Sequence, residues 1–200
     1  MKSFSQSHQD IFALNYSKNK TYIEIGAYHP VEWNNSYNLE TQGWKGFSIE
    51  FNQELKHYWN NQKDRKNKIY WQDAINFDYI SALKENNLPT HIGYLSCDIE
   101  PPANTFKALC QVIEQGVTFD CITFEHDKYQ NLKKFNDTVD YEPIVIEYLQ
   151  NKGYKVAVKN IYPNGKRKKI YETWFVNQKI NMETFQYDDW KKHIGVSNDT

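Results

Sequence analysis

Short apolar runs alternate with amphipathic stretches along nearly the whole chain. Residues 21–26 (TYIEIG) form an apolar, β-branched run that ends on glycine, and residues 46–50, 68–71, 91–97 and 118–124 repeat the type. Runs this short, bounded by turn residues, predict buried strands. The intervening segments 9–16, 35–41, 51–60, a stretch reaching Leu83, 105–114 and 142–150 predict helices. Ser7 is the expected cap of the first, and Leu55, Tyr58 and Trp59 supply the apolar side of the third. Asn76 or Asp78 caps the fourth. Asn104 caps the fifth, with Phe106, Leu109, Cys110 and Ile113 turned to a sheet. Pro143 lies in the first turn of the sixth, and Gly116 and Gly153 end the last two. Residues 154–159 and 170–176 predict two more strands, with Pro163, Asn164 and Gly165 between them as a reversal. Strands and helices in alternation predict an α/β fold. Its sheet is mainly parallel, with helices on both faces and a C-terminal antiparallel hairpin edge.

The chain has 200 residues, the length of one domain, and its 40% apolar and 16% aromatic content argues for a packed core. We therefore expect a single domain over residues 1–200. A formal net charge of −1 gives no general attraction to nucleic acid, and neither nucleic acid nor membrane insertion is expected. The basic run Lys166, Arg167, Lys168 and Lys169 reads first as a solvated hairpin edge, and second as a grip on an anionic acceptor. Cys97, Cys110 and Cys121 form no CxxC or tight cluster and read as free thiols. No stretch approaches transmembrane length, and the MKSFSQSHQD terminus lacks a signal-peptide apolar segment, so cytoplasmic residence is the expectation.

Ligands of open α/β sheets bind beyond the carboxyl ends of the strands. Those ends carry Glu24, Glu50, Asp73, Asp98 and Glu100, with His126 after the fifth strand. Gly26 lets the backbone pass close to a ligand. Glu50, about one βα unit later, is suited to accept hydrogen bonds from ribose hydroxyls, and Asp73 from an adenine amino group. After Gly26 the chain reads AYHP, without the GxGxxG turn that a pyrophosphate needs. This ranks S-adenosylmethionine above a nicotinamide dinucleotide as cofactor. His126 is the clearest general-base candidate, with Glu125 or Asp127 to orient it. Asp98 and Glu100 face one side of an extended segment. They are placed to meet the methyl donor, position a hydroxyl or bind a divalent ion.

The segments SQSHQD (5–10), YIEIGAYHP (22–30), NSYNLETQGWKGFSIE (35–50), YWQDA (70–74), YLSCDIEPPA (94–103) and FDCITFEHD (119–127), in this order, resemble the FkbM-like methyltransferases. The GYKV and TWFVN segments fit as well, so the resemblance spans most of the chain. It implies a Rossmann-like class I S-adenosylmethionine-dependent fold and methylation of a hydroxyl oxygen, with a glycan or small metabolite as acceptor. It assigns Glu24 and Gly26 to the cofactor loop, Glu50 to the ribose and Asp73 to the adenine. Asp98 and Glu100 match the DxE group, and His126 the EH group. It also implies that the amino-terminal segment, within residues 1–20, closes over the site, with Gln9 and Asp10 as polar contacts. Two departures stand out. Tyr28, His29 and Pro30 replace an Asp-Gly type of sequence, and Pro101 replaces a glycine after the DxE group.

The leading expectation is transfer of the sulfonium methyl to an acceptor oxygen. Glu50 and Asp73 hold the donor, and His126, helped by Asp98, removes the hydroxyl proton. A metal-assisted version through Asp98, Glu100 and His126 ranks second, so no resident metal is assigned. The competing classes are a binding or scaffold protein that retains the fold, motivated by the Tyr28–Pro30 departure, and a nicotinamide-dependent oxidoreductase.

Overall fold

The computed structural model describes residues 2–163, 166 and 169–196. Eight strands form one sheet: β1 (Thr21–Ile25), β2 (Lys45–Ile49), β3 (Lys68–Tyr70), β4 (His91–Cys97), β5 (Thr118–Glu125), β6 (Tyr154–Ile161), β7 (Glu172–Asn177) and β8 (Phe185–Gln186). Their order is β3-β2-β1-β4-β5-β7-β6-β8, and only β7 runs antiparallel to its neighbours. The expected hairpin is thus present, but it is inserted rather than appended. β7 lies between β5 and β6, and the two-residue β8 forms the outer edge. Order reverses between β1 and β4, both of which start from the middle of the sheet and open a crevice at their carboxyl ends.

Helices cover both faces. They are α1 (Gln9–Tyr16), α2 (Tyr37–Thr41), α3 (Lys56–Asn61), α4 (Tyr79–Glu85), α5 (Pro102–Glu114), α6 (Asn131–Phe135), α7 (Tyr141–Asn151) and α8 (Tyr187–His193). On one face Ile23, Ile25, Phe47 and Leu95 pack with Leu83, Leu109, Val112 and Leu149. On the other, Tyr22, Tyr94 and Trp174 pack with Phe12, Tyr187 and Trp190.

Several local expectations are corrected. α1 starts where predicted, but its cap is His8, in a left-handed conformation. Ser7 Oγ instead donates to Tyr162 O at 3.0 Å and accepts from the Tyr171 hydroxyl at 2.7 Å. The segment from 51 to 60 splits into a 3-10 turn (Gln53–Leu55), capped by Asn52, and α3, where Trp59 is buried and Tyr58 exposed. α5 begins at Pro102, which needs no hydrogen-bonded amide there, so Asn104 lies in its first turn and caps nothing. Its buried face is therefore Thr105, Ala108, Leu109 and Val112, with Phe106, Cys110 and Ile113 to the side. Asp78, not Asn76, caps α4 by accepting from Ser81 N. α6, α8 and β8 had no counterpart in the sequence reading. Of the hairpin turn and basic run, Asn164, Gly165, Arg167 and Lys168 lie outside the described residues. All three cysteines are free.

Candidate active site

The exits of β1, β2, β4 and β5 meet around an open cavity of about 610 Å³. Gly26, Glu50, Asp98 and Glu100 line it, as do Glu125 and Asp127 from the end of β5. Tyr28, Trp33, Phe51 and Tyr129 stand at its walls, and Gln6 reaches it from the amino-terminal segment. A second cavity of about 280 Å³ adjoins it through Phe51, Ile99 and Glu100, and contains Asp73.

Gly26 is fixed by backbone packing. Its φ is +82°, and a Cβ there would stand 1.6 Å from Asp98 O, so only glycine lets the β1 and β4 exits touch. Glu50 continues directly from β2. Its Oε2 accepts from Tyr28 N at 2.8 Å and its Oε1 from Asn52 N at 2.7 Å. Two amides therefore hold the carboxylate in one orientation, and each oxygen keeps a lone pair for a ligand hydroxyl. Asp73 accepts from Ile75 N at 3.0 Å and from Asn76 Nδ2 at 3.2 Å, which turns the chain after β3.

Asp98, Glu125 and Asp127 form an acidic cluster in the larger cavity. Burial pushes the Asp98 carboxyl up to about 7, against the effect of its hydrogen bond with Glu125. Burial raises Glu125 well above the usual carboxylate range, with the charges of Asp98 and Asp127 adding to it. Because the two carboxyls interact directly, they titrate as a pair. Burial also raises Asp127, whose Oδ2 accepts from Gln130 Nε2 at 2.6 Å. Glu100 pairs with Lys134 at the surface.

Four of the expected site residues lie away from the cavity lining. Glu24 is 1% exposed and accepts from Asn34, Asn35, Ser36 and Ser48, with Arg65 Nη2 3.9 Å away. It braces the loop after Gly26 from beneath. Asp10 gathers Ser3 Oγ at 2.6 Å, Phe4 N at 3.1 Å, Ser5 Oγ at 2.8 Å and Asn38 Nδ2 at 2.9 Å, folding residues 3–5 back onto α1 and α2. Gln9 bonds Ser7 N, the Tyr171 hydroxyl and Glu172. In that segment Gln6, not Gln9 or Asp10, meets the cavity.

His126 is the fourth. β5 runs one residue further than predicted, so Glu125 ends the strand at the cavity while His126 is fully buried behind it. Its Nδ1 accepts from Lys128 N at 3.3 Å and its Nε2 lies 3.4 Å from Thr173 Oγ1, which donates to Glu142 at 3.0 Å. Burial lowers the imidazole to about 4, despite the opposing charges of Glu142 and Asp140. A base so weak and so enclosed has no route to an acceptor in the cavity. Glu125 and Asp127, expected only to orient this histidine, are the residues of the segment that line the cavity.

Arg65 was missed altogether, since it lies in a charged stretch that reads as a surface loop. Its side chain is 4% exposed. Nη1 donates to Pro30 O at 3.0 Å and Asn34 Oδ1 at 2.8 Å, Nη2 donates to Ser36 Oγ at 2.9 Å, and Nε lies 2.9 Å from Glu40 Oε2. The guanidinium also lies 4.5 Å from the Trp59 ring centroid. It ties the loop after β1 to the segment before β3.

Among the described residues, no three His, Cys, Asp or Glu side chains are grouped to hold a metal ion. Among the same residues, no helix is long and apolar enough to cross a membrane.

No protein-family model and no curated protein sequence matches the chain. The likenesses are to solved structures. The N-methyltransferase NodS from Bradyrhizobium japonicum WM9 superposes with a TM-score of 0.56 at 9% identity, over 86% of this chain and 93% of that one. A putative tRNA (m1A22) methyltransferase of Streptococcus pneumoniae, in complex with S-adenosyl-L-methionine, gives 0.52 at 11% identity, over 88% and 74%. The spermidine synthase of Thermotoga maritima gives 0.54 at 10% identity, over 96% and 73%. The fold is thus the Rossmann-like fold found in these methyltransferase structures.

Proposed function

We propose that this protein transfers a methyl group from S-adenosylmethionine to a hydroxyl oxygen of a glycan or small metabolite. The observation that carries the reading is Glu50, a carboxylate at the end of β2, oriented by two backbone amides at the wall of the larger cavity. The cavities suit the donor chemically. Glu50 accepts from the ribose hydroxyls, and the smaller cavity offers Asp73 to an adenine amino group beside the Phe51 side chain. Asp98, at the exit of β4 beside Gly26, gives the cavity an acidic wall, where a positively charged centre is favoured.

S-adenosylmethionine, when bound, supplies an electrophilic methyl group on a sulfonium. The chain's own residues orient the acceptor and take its proton. Burial raises both carboxyls of the Asp98–Glu125 pair, so the ionised form is more basic than an ordinary carboxylate and takes the acceptor's hydroxyl proton. Asp127 and Tyr129 flank it. Gln6, Tyr28, Trp33 and Phe51 narrow the mouth against water, and alignment supplies much of the rate.

Calorimetry with S-adenosylhomocysteine tests the donor part. The wild-type protein should bind it, and Glu50→Ala should weaken binding about 10- to 100-fold, the value of charge-assisted hydrogen bonds, without unfolding the chain. Failure of the wild-type protein to bind would overturn the reading and favour a scaffold that retains the fold.

A further inference from the structure

Three cavity-lining residues hold a left-handed backbone without being glycine: Tyr28 at φ 45°, Trp33 at φ 56° and Asp127 at φ 49°. Bulky side chains avoid this region because Cβ crowds the backbone carbonyl. Such outliers cluster where function fixes them. The Tyr28 backbone is held on both sides, its N–H by Glu50 at 2.8 Å and its carbonyl by Trp59 Nε1 at 2.9 Å. The Tyr28 and Trp33 rings lie 18° from parallel with centroids 6.5 Å apart, yet they are 53% and 66% exposed. The departure noted in the sequence at Tyr28–Pro30 thus builds an aromatic wall that the fold does not bury.

The same cavity carries Asp98, Glu125 and Asp127. The Glu125 carboxyl meets the carboxyls of Asp98 and Asp127, and the charge of Glu172 also acts on it. Two cations near the cavity, among the described residues, have other partners. Lys134 pairs with Glu100, and Lys169 lies over the Tyr129 ring at 5.4 Å. Aromatic faces and carboxylates both attract positive charge.

We propose that the acceptor is an organic ammonium compound, its charged nitrogen held between the Tyr28–Trp33 wall and the Asp98, Glu125 and Asp127 carboxylates. The proposal rests on the methyltransferase reading and narrows its acceptor to aminated molecules.

The test uses protein saturated with S-adenosylhomocysteine, titrated near neutral pH with two matched pairs: glucosamine against glucose, and benzylamine against benzyl alcohol. The amine of each pair should bind about tenfold more tightly or better. Trp33→Leu, which keeps apolar bulk but removes the π face, and Asp127→Asn should each shrink that preference while leaving S-adenosylhomocysteine affinity unchanged. Trp33 is exposed, so its variant folds even if Asp127→Asn does not. Equal binding within the pairs, or no amine binding, overturns the proposal and leaves the donor reading intact. Trp33→Leu weakening S-adenosylmethionine but not S-adenosylhomocysteine also overturns it, because the wall would then serve the sulfonium. Absence of S-adenosylhomocysteine binding fails the methyltransferase reading itself, and the proposal with it.

Discussion

Arg65→Met should destabilise the protein by about 3–5 kcal/mol near neutral pH, the usual loss when one partner of a buried ion pair is removed. Arg65 makes three side-chain hydrogen bonds of 3.0 Å or less to the loop at Pro30, Asn34 and Ser36, and its Nε lies 2.9 Å from Glu40. Methionine fills the apolar stem but satisfies none of these contacts, and it leaves Glu24 and Glu40 buried without their cation. The deficit should depend on pH. Burial raises the Glu24 carboxyl above its ordinary 4.5, and Arg65 is the main influence pulling it down. A carboxyl raised in the folded state favours folding only while protonated, and that advantage is lost as pH rises through the folded value. Without Arg65 the folded value moves higher, so the deficit grows towards alkaline pH and shrinks as pH falls towards 4.5. Urea unfolding followed by circular dichroism at acid and alkaline pH measures it. For a chain of this length the melting temperature should drop by about 6–20 °C near neutral pH. Arg65→Lys should recover only part, because one ammonium cannot span the donors of a guanidinium fork. A loss below about 1 kcal/mol, or one equal at both pH values, would refute the reasoning.

Gly26→Ala should cost more than about 3 kcal/mol or prevent folding, since its Cβ would meet Asp98 O in a left-handed backbone; a melting temperature near wild type would contradict the packing described. Burial raises the Glu172 carboxyl to about 8, so its contribution to folding is lost as pH rises from 4.5 through 8. His126 acts with opposite sign, but only below its ordinary value of 6.5. Wild-type stability should therefore fall between about pH 6.5 and 8. Asp98, raised to about 7, contributes in the same direction, so Glu172→Gln, which can still accept from Gln9 and Trp174, should reduce that slope without removing it, as thermal melts across this range would reveal. In a methyl-transfer assay the rate should rise through the titration of the Asp98–Glu125 pair, near pH 7, and Asp98→Asn should abolish that limb. His126→Gln should leave the profile in place; its disappearance would return the base role to the histidine.

Much of the architecture was legible in the chain because strand and helix signals are local. A five- to eight-residue apolar run reveals a buried strand wherever it lies, and the starts of α1 and β4 were read to the residue. Glycine in the strand exit, and acids after β2 and β4, were legible for the same reason: the βα unit brings strand ends to one edge of the sheet. α8 was not legible, because its buried Tyr187 and Trp190 are recognisable only against Phe12 and Trp174, which are distant in the chain.

The sequence by itself determined the α/β alternation and the set of acids at the strand exits. Only the tertiary structure decided which of those acids face the cavity. Glu24, Asp10 and Glu50 are all carboxylates near the edges of elements, yet the first two are consumed by amides and hydroxyls from other segments and only Glu50 is turned to the cavity. His126 and Glu125 are adjacent, yet one added residue of β5 pairing sends the imidazole inward and the carboxylate to the cavity. A side chain's direction depends on where strand pairing stops and on which distant donors arrive first. Neither is written in the residue's own neighbourhood.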